Sequence, residues 1–199
     1  LARGFVSSVP LPHSIPKLAA PDFVPYIYSH AELKRLLDAV PAACAGRVPI
    51  DAVVFRALLL LLYGAGLRIS EAVSLSIADV DLDQTCLIVR GTKFYKSRLV
   101  PLGKDLAQAM SDYVGKRNDR HSSAADTPFF CFRDGAPLSK SAARSTFRRL
   151  RAKANVVREG GARQQPRLHD LRHSAAVHRL VAWYRSGADL HDLLPKLAT

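Results

Sequence analysis

Acidic residues are scarce in this chain: 17 Asp and Glu stand against 29 Lys and Arg, giving a net charge of +12 and a pI near 10.1. Cysteine is also sparse. Cys44, Cys86 and Cys131 are odd in number and widely spaced, which excludes a disulfide framework and a zinc-ligand pattern. Buried free thiols in a reducing cytoplasm are the expected state. Long apolar runs are missing. The longest, Ala57 to Leu62, is far too short to span a bilayer. Pro10, Pro12 and Pro16 interrupt any signal-peptide core, and the absence of an initiating Met fits a fragment. Internal repeats and low-complexity segments are absent too.

What is present is concentrated positive charge. Residues 140–179 hold eleven Arg or Lys and only two acids, Glu159 and Asp170, so this stretch carries +9 of the +12. Clustered basic residues are the electrostatic footprint of a nucleic-acid surface. A membrane surface would need a basic helix with a bulky apolar face exposed, whereas the helical patterns here read as core-facing. A length of 199 residues suits one domain, or one domain with an arm, around a sizeable core.

Five of the twelve prolines fall in residues 1–27, which read as an extended arm or linker, or equally as a tail packed along the domain surface. The domain proper is expected over 28–199. Ser29 and Glu32 match a capping box ahead of the stripe Leu33, Leu36, Leu37 and Val40. Residues 41–50, with Pro41, Gly46 and Pro49, read as a loop. Asp51 to Tyr63 is apolar on nearly every face and should be a central helix, stopped at Gly64-Ala65-Gly66. Arg68 to Leu75 opens a short helix. A charge at that joint is expensive unless paired, so Arg68 either bonds Glu71 or Asp79 or has a functional role.

Gln84–Arg90 and Ser97–Leu102 read as hairpin strands joined by a mobile basic tip at residues 91–96. Gly103 to Arg117 is an amphipathic helix through Leu106, Met110 and Val114. Phe129–Phe132 reads as a short buried strand closed by a turn at Arg133-Asp134-Gly135. Ser139 caps a helix reaching about Asn155, with Phe147 and Leu150 inward. Its Arg144, Arg148, Arg149 and Arg151 point largely outward, where they suit phosphate contacts. Ala188–Leu197 reads as a short helix interrupted by Pro195. The expected fold class is mainly α-helical with a small antiparallel β-sheet.

The most chemically loaded stretch is Leu168-His169-Asp170-Leu171-Arg172-His173. In a helix from about His169, positions 169, 172, 173 and 176 share one face. Two imidazoles and a guanidinium then sit side by side at a helix start, where backbone N–H groups and the dipole favour an anion. A phosphate suits that face. The bland alternative is a solvated basic helix end, and H-x-x-R alone does not separate the two.

Taken together, three motifs resemble one family. Gly64-Ala65-Gly66-Leu67-Arg68-Ile69-Ser70-Glu71-Ala72 looks like the first arginine box of tyrosine recombinases, the phage-integrase family. Lys93 sits where that family's hairpin lysine falls, counting back from Arg98-Leu99-Val100-Pro101-Leu102. Leu168 to Ser174 looks like the second box. The resemblance covers roughly residues 26–199, with residues 1–25 similar to the arm leading from an N-terminal DNA-clamping domain.

The resemblance implies site-specific DNA recombination or integration through a phosphotyrosyl intermediate, without metal or other cofactor. Arg68 and Arg172 would stabilise charge on the phosphoryl oxygens. Lys93 would protonate the leaving 5′-oxygen and His169 would move protons, with His173 beside them on the DNA. The expected partners are duplex DNA and neighbouring protomers on it, with no membrane or small-molecule ligand, in the cytoplasm. One departure stands out: none of Tyr26, Tyr28, Tyr63, Tyr95, Tyr113 and Tyr184 matches the nucleophile position, and Tyr184 reads as a packing residue. The chain then reads as a catalytic domain truncated before its nucleophile and inactive alone. The alternatives are a non-catalytic DNA-binding remnant or a type IB topoisomerase.

Overall fold

A computed structural model describes residues 24–90, 97–189 and 191–194. Helix α1, His30–Ala43, begins as its sequence dictates: the Ser29 hydroxyl accepts from the Glu32 N–H while the Glu32 carboxylate accepts from the Ser29 N–H. The helix does not stop at Pro41 but runs on through it. Pro41 has no N–H for the Leu37 carbonyl, and the Arg56 guanidinium donates to that carbonyl instead, at 3.2 Å. A side chain from another helix thus replaces the bond that the proline removes.

Helix α2, Ala52–Gly64, starts at Asp51, whose carboxylate accepts from the Val53 N–H. It is the centre of the core. Val54, Phe55, Leu58, Leu59, Leu61 and Leu62 are all buried. Gly64 lets Leu106 of the facing helix approach closely, since a Cβ there would lie 2.8 Å from a Leu106 methyl and force that side chain to shift. Gly66 takes a left-handed φ of 63°, which turns the chain into α3, Ile69–Val73.

A three-stranded antiparallel sheet follows, β1 (Val80–Asp81), β2 (Cys86–Val89) and β3 (Arg98–Pro101), in the order β1-β2-β3. Leu87 pairs with both Val80 and Val100, and with Val89 it faces the core. The first of these strands escaped the sequence reading because two residues carry no periodicity. The hairpin tip between β2 and β3, with Lys93, lies outside the described residues, as do most of the arm 1–27 and residues 195–199.

Helix α4, Lys104–Asn118, packs on α2. The strand expected at Phe129–Phe132 does not form. Phe129 and Phe130 are fully buried, but pairing is limited to single bridges at Pro128 and Pro137. Prolines lack the N–H that would extend either ladder. Helix α5, Lys140–Lys153, starts at the Ser139 cap and lays Ala143, Phe147 and Leu150 against α1. Helix α6, Asp170–Arg185, lies on α2.

Tyr28 ties the start of α1 to the start of α6. It is fully buried, its N–H donates to Ser174 Oγ at 2.9 Å and its hydroxyl donates to the Arg167 carbonyl at 2.9 Å. No helix among the described residues is long and apolar enough to cross a membrane. Cys44 and Cys131 are buried and Cys86 half-buried, all with free thiols, and burial pushes the Cys44 thiol up to about 11.

Candidate phosphate-binding site

The site forms where the carbonyl end of α2 meets β3 and the start of α6. Arg68 is the extended residue before α3, and its backbone N–H donates to Glu71 Oε2 at 2.8 Å. Its Nη1 donates to Glu71 Oε1 at 3.0 Å. Of the two partners weighed for Arg68 the structure selects Glu71, while Asp79 pairs with Arg90. The Arg68 side chain is still 55% exposed, so most of its donors remain open.

Arg172 reaches the same place from α6. Its Nη1 donates to the Gly66 carbonyl, two residues before Arg68. One face further along α6, Arg179 Nη2 donates to the Gly64 carbonyl at 3.3 Å. Two guanidiniums thus meet the negative end of the α2 dipole, which fixes where α6 presents its cations. A cleft of about 130 Å³ opens here, lined by Gly64, Gly66, Arg98, Val100, Arg172 and Ala176 among others. Burial, followed by the charges of Arg68 and Arg98, pulls the Arg172 guanidinium below its ordinary value, while Glu71 opposes this. Burial would raise the pKa of Glu71, but bonds from Arg98 and Arg68 outweigh it and hold the carboxyl below its ordinary 4.5.

His169 is the residue capping α6, and His173 lies one turn on, the two rings edge to face with centroids 4.9 Å apart. Partial burial lowers the pKa of His169, and the charges of His173, Arg167 and Arg172 lower it further against the pull of Asp170. The ring is therefore neutral at pH 7 and able to take a proton. Asp170 is fully buried and accepts from the Arg167 N–H at 2.8 Å, anchoring the first turn. Arg172 is thus within electrostatic reach of both Arg68 and His169, and Lys93 lies outside the described residues.

On α5, Arg144, Arg148 and Arg149 are exposed. Arg151 is half-buried and donates to the Pro166 carbonyl at 2.9 Å, bracing the loop that leads to His169. Arg144 and Arg148 share one edge of the helix, while Arg149 diverges by about 100° and its charge reaches the Cys44 thiol. Among the described residues no group of three or more His, Cys, Asp or Glu could hold a metal ion. Tyr184, expected to pack, is instead 75% exposed on α6. Sequence reasoning passed over two residues of the site. Glu71 entered only as a partner for Arg68, and Arg98 only as a marker of the hairpin strand, because its role depends on a contact 27 residues away.

The phage integrase family pattern matches residues 27–194. The chain belongs to the phage integrase family. It is 37% identical over 178 residues to protein y4rB of Sinorhizobium fredii, covering 88% of this chain and 56% of that protein. It is 34% identical to tyrosine recombinase XerD of Corynebacterium glutamicum, covering 84% of this chain and 51% of that one. The chain thus spans about half the length of these curated relatives. The crystal structure of XerA recombinase superposes with a TM-score of 0.63 at 25% identity, over 85% of this chain and 54% of that one. A Tn1549 transposon integrase solved with circular intermediate DNA shares the fold, with a TM-score of 0.63 at 21% identity, over 89% of this chain and 59% of that one. The mainly α fold with its small antiparallel sheet is therefore the tyrosine-recombinase catalytic-domain fold.

A second histidine pair gives this integrase-family domain a pH dependence. His178 on α6 bonds the Tyr63 hydroxyl through Nδ1 at 2.8 Å and stacks on His30 with ring centroids 4.3 Å apart. Burial and then the His30 charge hold its pKa below the ordinary 6.5. His169 is depressed likewise, so the folded state binds fewer protons than the unfolded chain at both positions. Stability from these groups is fully present above pH 6.5 and lost as pH falls through it toward the folded values. The depressed carboxyl of Glu71 begins to contribute its own loss only near and below its ordinary 4.5. Thermal unfolding is expected at lower temperature at pH 5.5 than at pH 7.5, and His178→Gln should flatten part of that slope.

Proposed function

We propose that this chain is the catalytic-domain portion of a tyrosine recombinase, acting in site-specific DNA recombination or integration. It binds duplex DNA and holds one backbone phosphate between Arg68 and Arg172. The observation that carries this reading is that Arg68 and Arg172, far apart in sequence, come within electrostatic reach of each other beside the cleft that Arg172 lines, with their charges only partly spent on Glu71 and Gly66. Preorganised guanidiniums stabilise charge that grows on phosphoryl oxygens. Neutral His169 is placed to accept a proton beside them, and Lys93 would serve as acid to the leaving oxygen. Arg144, Arg148, Arg149 and His173 supply phosphate contacts that position the duplex without reading it, with Arg151 supporting from the loop side. The arm 1–27 leads toward a DNA-clamping domain, protomers meet on the DNA, and the protein works in the cytoplasm.

Fluorescence anisotropy on duplex DNA across a salt series tests the binding half. Affinity should fall steeply and linearly on a log–log plot through counterion release, with little preference among sequences. Arg144→Glu with Arg148→Glu should weaken all sequences alike, by about tenfold or more. A flat salt dependence would count against a phosphate-dominated interface.

A further inference from the structure

Arg98 lines the cleft yet offers it little. Its Nη1 donates to Glu71 Oε1 at 3.1 Å and its Nη2 to Glu71 Oε2 at 3.0 Å, a two-pronged fork on the carboxylate. Its side chain is only 18% exposed, and its Nε is buried without a hydrogen-bond partner. A buried guanidinium with an orphaned N–H is normally avoided, so its retention needs a reason. Arg68, by contrast, is 55% exposed and gives Glu71 one side-chain nitrogen.

The carboxylate at the centre is saturated. Each Glu71 oxygen accepts one bond from Arg98 and one from Arg68. We propose that Arg98 is a positioning residue of the phosphate site: by neutralising and clamping Glu71 it keeps Arg68 oriented but uncommitted, so that Arg68 and Arg172 face the phosphate with two net positive charges. This rests on the reading that Arg68 and Arg172 hold a phosphate. Without the fork, a carboxylate 9% exposed would have Arg68 as its one cation within bonding distance among the described residues. It would draw that guanidinium into a full two-pronged pair, and the donors meant for the phosphate would be withdrawn. The fork also stitches β3 to α3, the helix that carries Glu71 and that Arg68 immediately precedes.

The discriminating variant is Arg98→Lys, which keeps the charge and loses the fork. Affinity for a short duplex DNA is read by anisotropy at a temperature where circular dichroism shows every variant folded. Arg98→Lys should weaken binding about tenfold, the size of effect expected for Arg68→Ala. In a Glu71→Gln background there is no carboxylate to restrain, and Arg98→Lys or Arg98→Met should change affinity by no more than about threefold. The Glu71→Gln/Arg98→Met pair leaves no unpaired buried carboxylate, so it decides the matter even where Arg98→Lys fails to fold. Parent-like binding by Arg98→Lys would overturn the proposal. So would a tenfold loss in both backgrounds, which would mean that Arg98 touches DNA itself. If Arg68→Ala and Arg172→Ala both bind like the parent, the phosphate-site reading fails and takes this inference with it. If they weaken binding and Arg98→Lys does not, only the role of Arg98 is lost.

Discussion

Mixed with a suicide duplex that traps covalent intermediates, these 199 residues are expected to give no protein–DNA adduct. The reason lies in what each described tyrosine is doing. Tyr28 and Tyr113 are buried, and burial drives both hydroxyls well above the ordinary range. Tyr26 donates to Glu32 at 2.6 Å and is raised to about 12 by burial and that bond. Tyr63 is held by His178. Tyr184 is exposed, but it lies twelve residues beyond Arg172 on α6, about 18 Å along the axis. A phenol reaches nothing at that distance. Positioned cations lower the barrier for an attack, yet they do not supply the attacking group, and water in its place would be many orders slower. A C-terminal extension carrying a nucleophilic tyrosine, in cis or from a neighbouring protomer, should restore the adduct. In that restored protein Arg172→Ala should cut the rate by about 10³-fold, the scale of losing one preorganised charge-stabilising donor. Adduct formation by the bare chain, abolished by Tyr184→Phe or Tyr95→Phe, would overturn this view.

The parts of the fold legible in the sequence are those where a local rule and the tertiary environment agree. Ser29 with Glu32, and Ser139, cap helices because their side chains satisfy N–H groups three residues away, which needs nothing from elsewhere. Helix α2 is legible because a segment apolar all round has nowhere to go but the centre. The misreadings share a different cause. Pro41 was expected to end α1, and it does not because Arg56, on another helix, takes the freed carbonyl. Phe129 to Cys131 have the composition of a buried strand, but flanking prolines and a carbonyl-binding arginine hold them as irregular chain. At the site, Arg68 and Arg172 were visible as motif positions. The part played by Arg98 was not, since it depends on a carboxylate that only folding brings to it. Tyr184 misled because its helical position resembles a packing one, and among the described residues nothing covers that side of α6.

Arg117→Met is expected to destabilise the domain by about 3–5 kcal/mol, the scale for removing one member of a buried charged network. Arg117 is 4% exposed, deep between α4 and the segment leading to α5. Its guanidinium donates to the carbonyls of Ser122 at 2.6 Å, Pro128 at 2.8 Å and Phe129 at 3.2 Å. Thr127 Oγ1 and Asn118 Oδ1 complete the set, each at 3.3 Å. None of these acceptors is a carboxylate, so the buried charge is held by converging carbonyl dipoles. Irregular chain cannot satisfy its own carbonyls as a strand would, and here one side chain satisfies three of them. Methionine fills a similar volume but leaves the Pro128 carbonyl without its partner and those of Ser122 and Phe129 with one bond each, from Thr127 and Tyr113, whereas lysine keeps a charge yet cannot span acceptors arranged for a planar fork. Both variants should therefore melt earlier, by roughly 10 °C for methionine in a domain of this size. The segment they loosen bonds back through the Phe129 N–H to the Leu75 carbonyl at 2.8 Å, just beyond the helix that carries Glu71. DNA affinity should follow the folded fraction and no more, because Arg117 is buried and does not line the cleft. A melting temperature within 2 °C of the parent for Arg117→Met would show that water reaches those carbonyls and that the buried fork is dispensable.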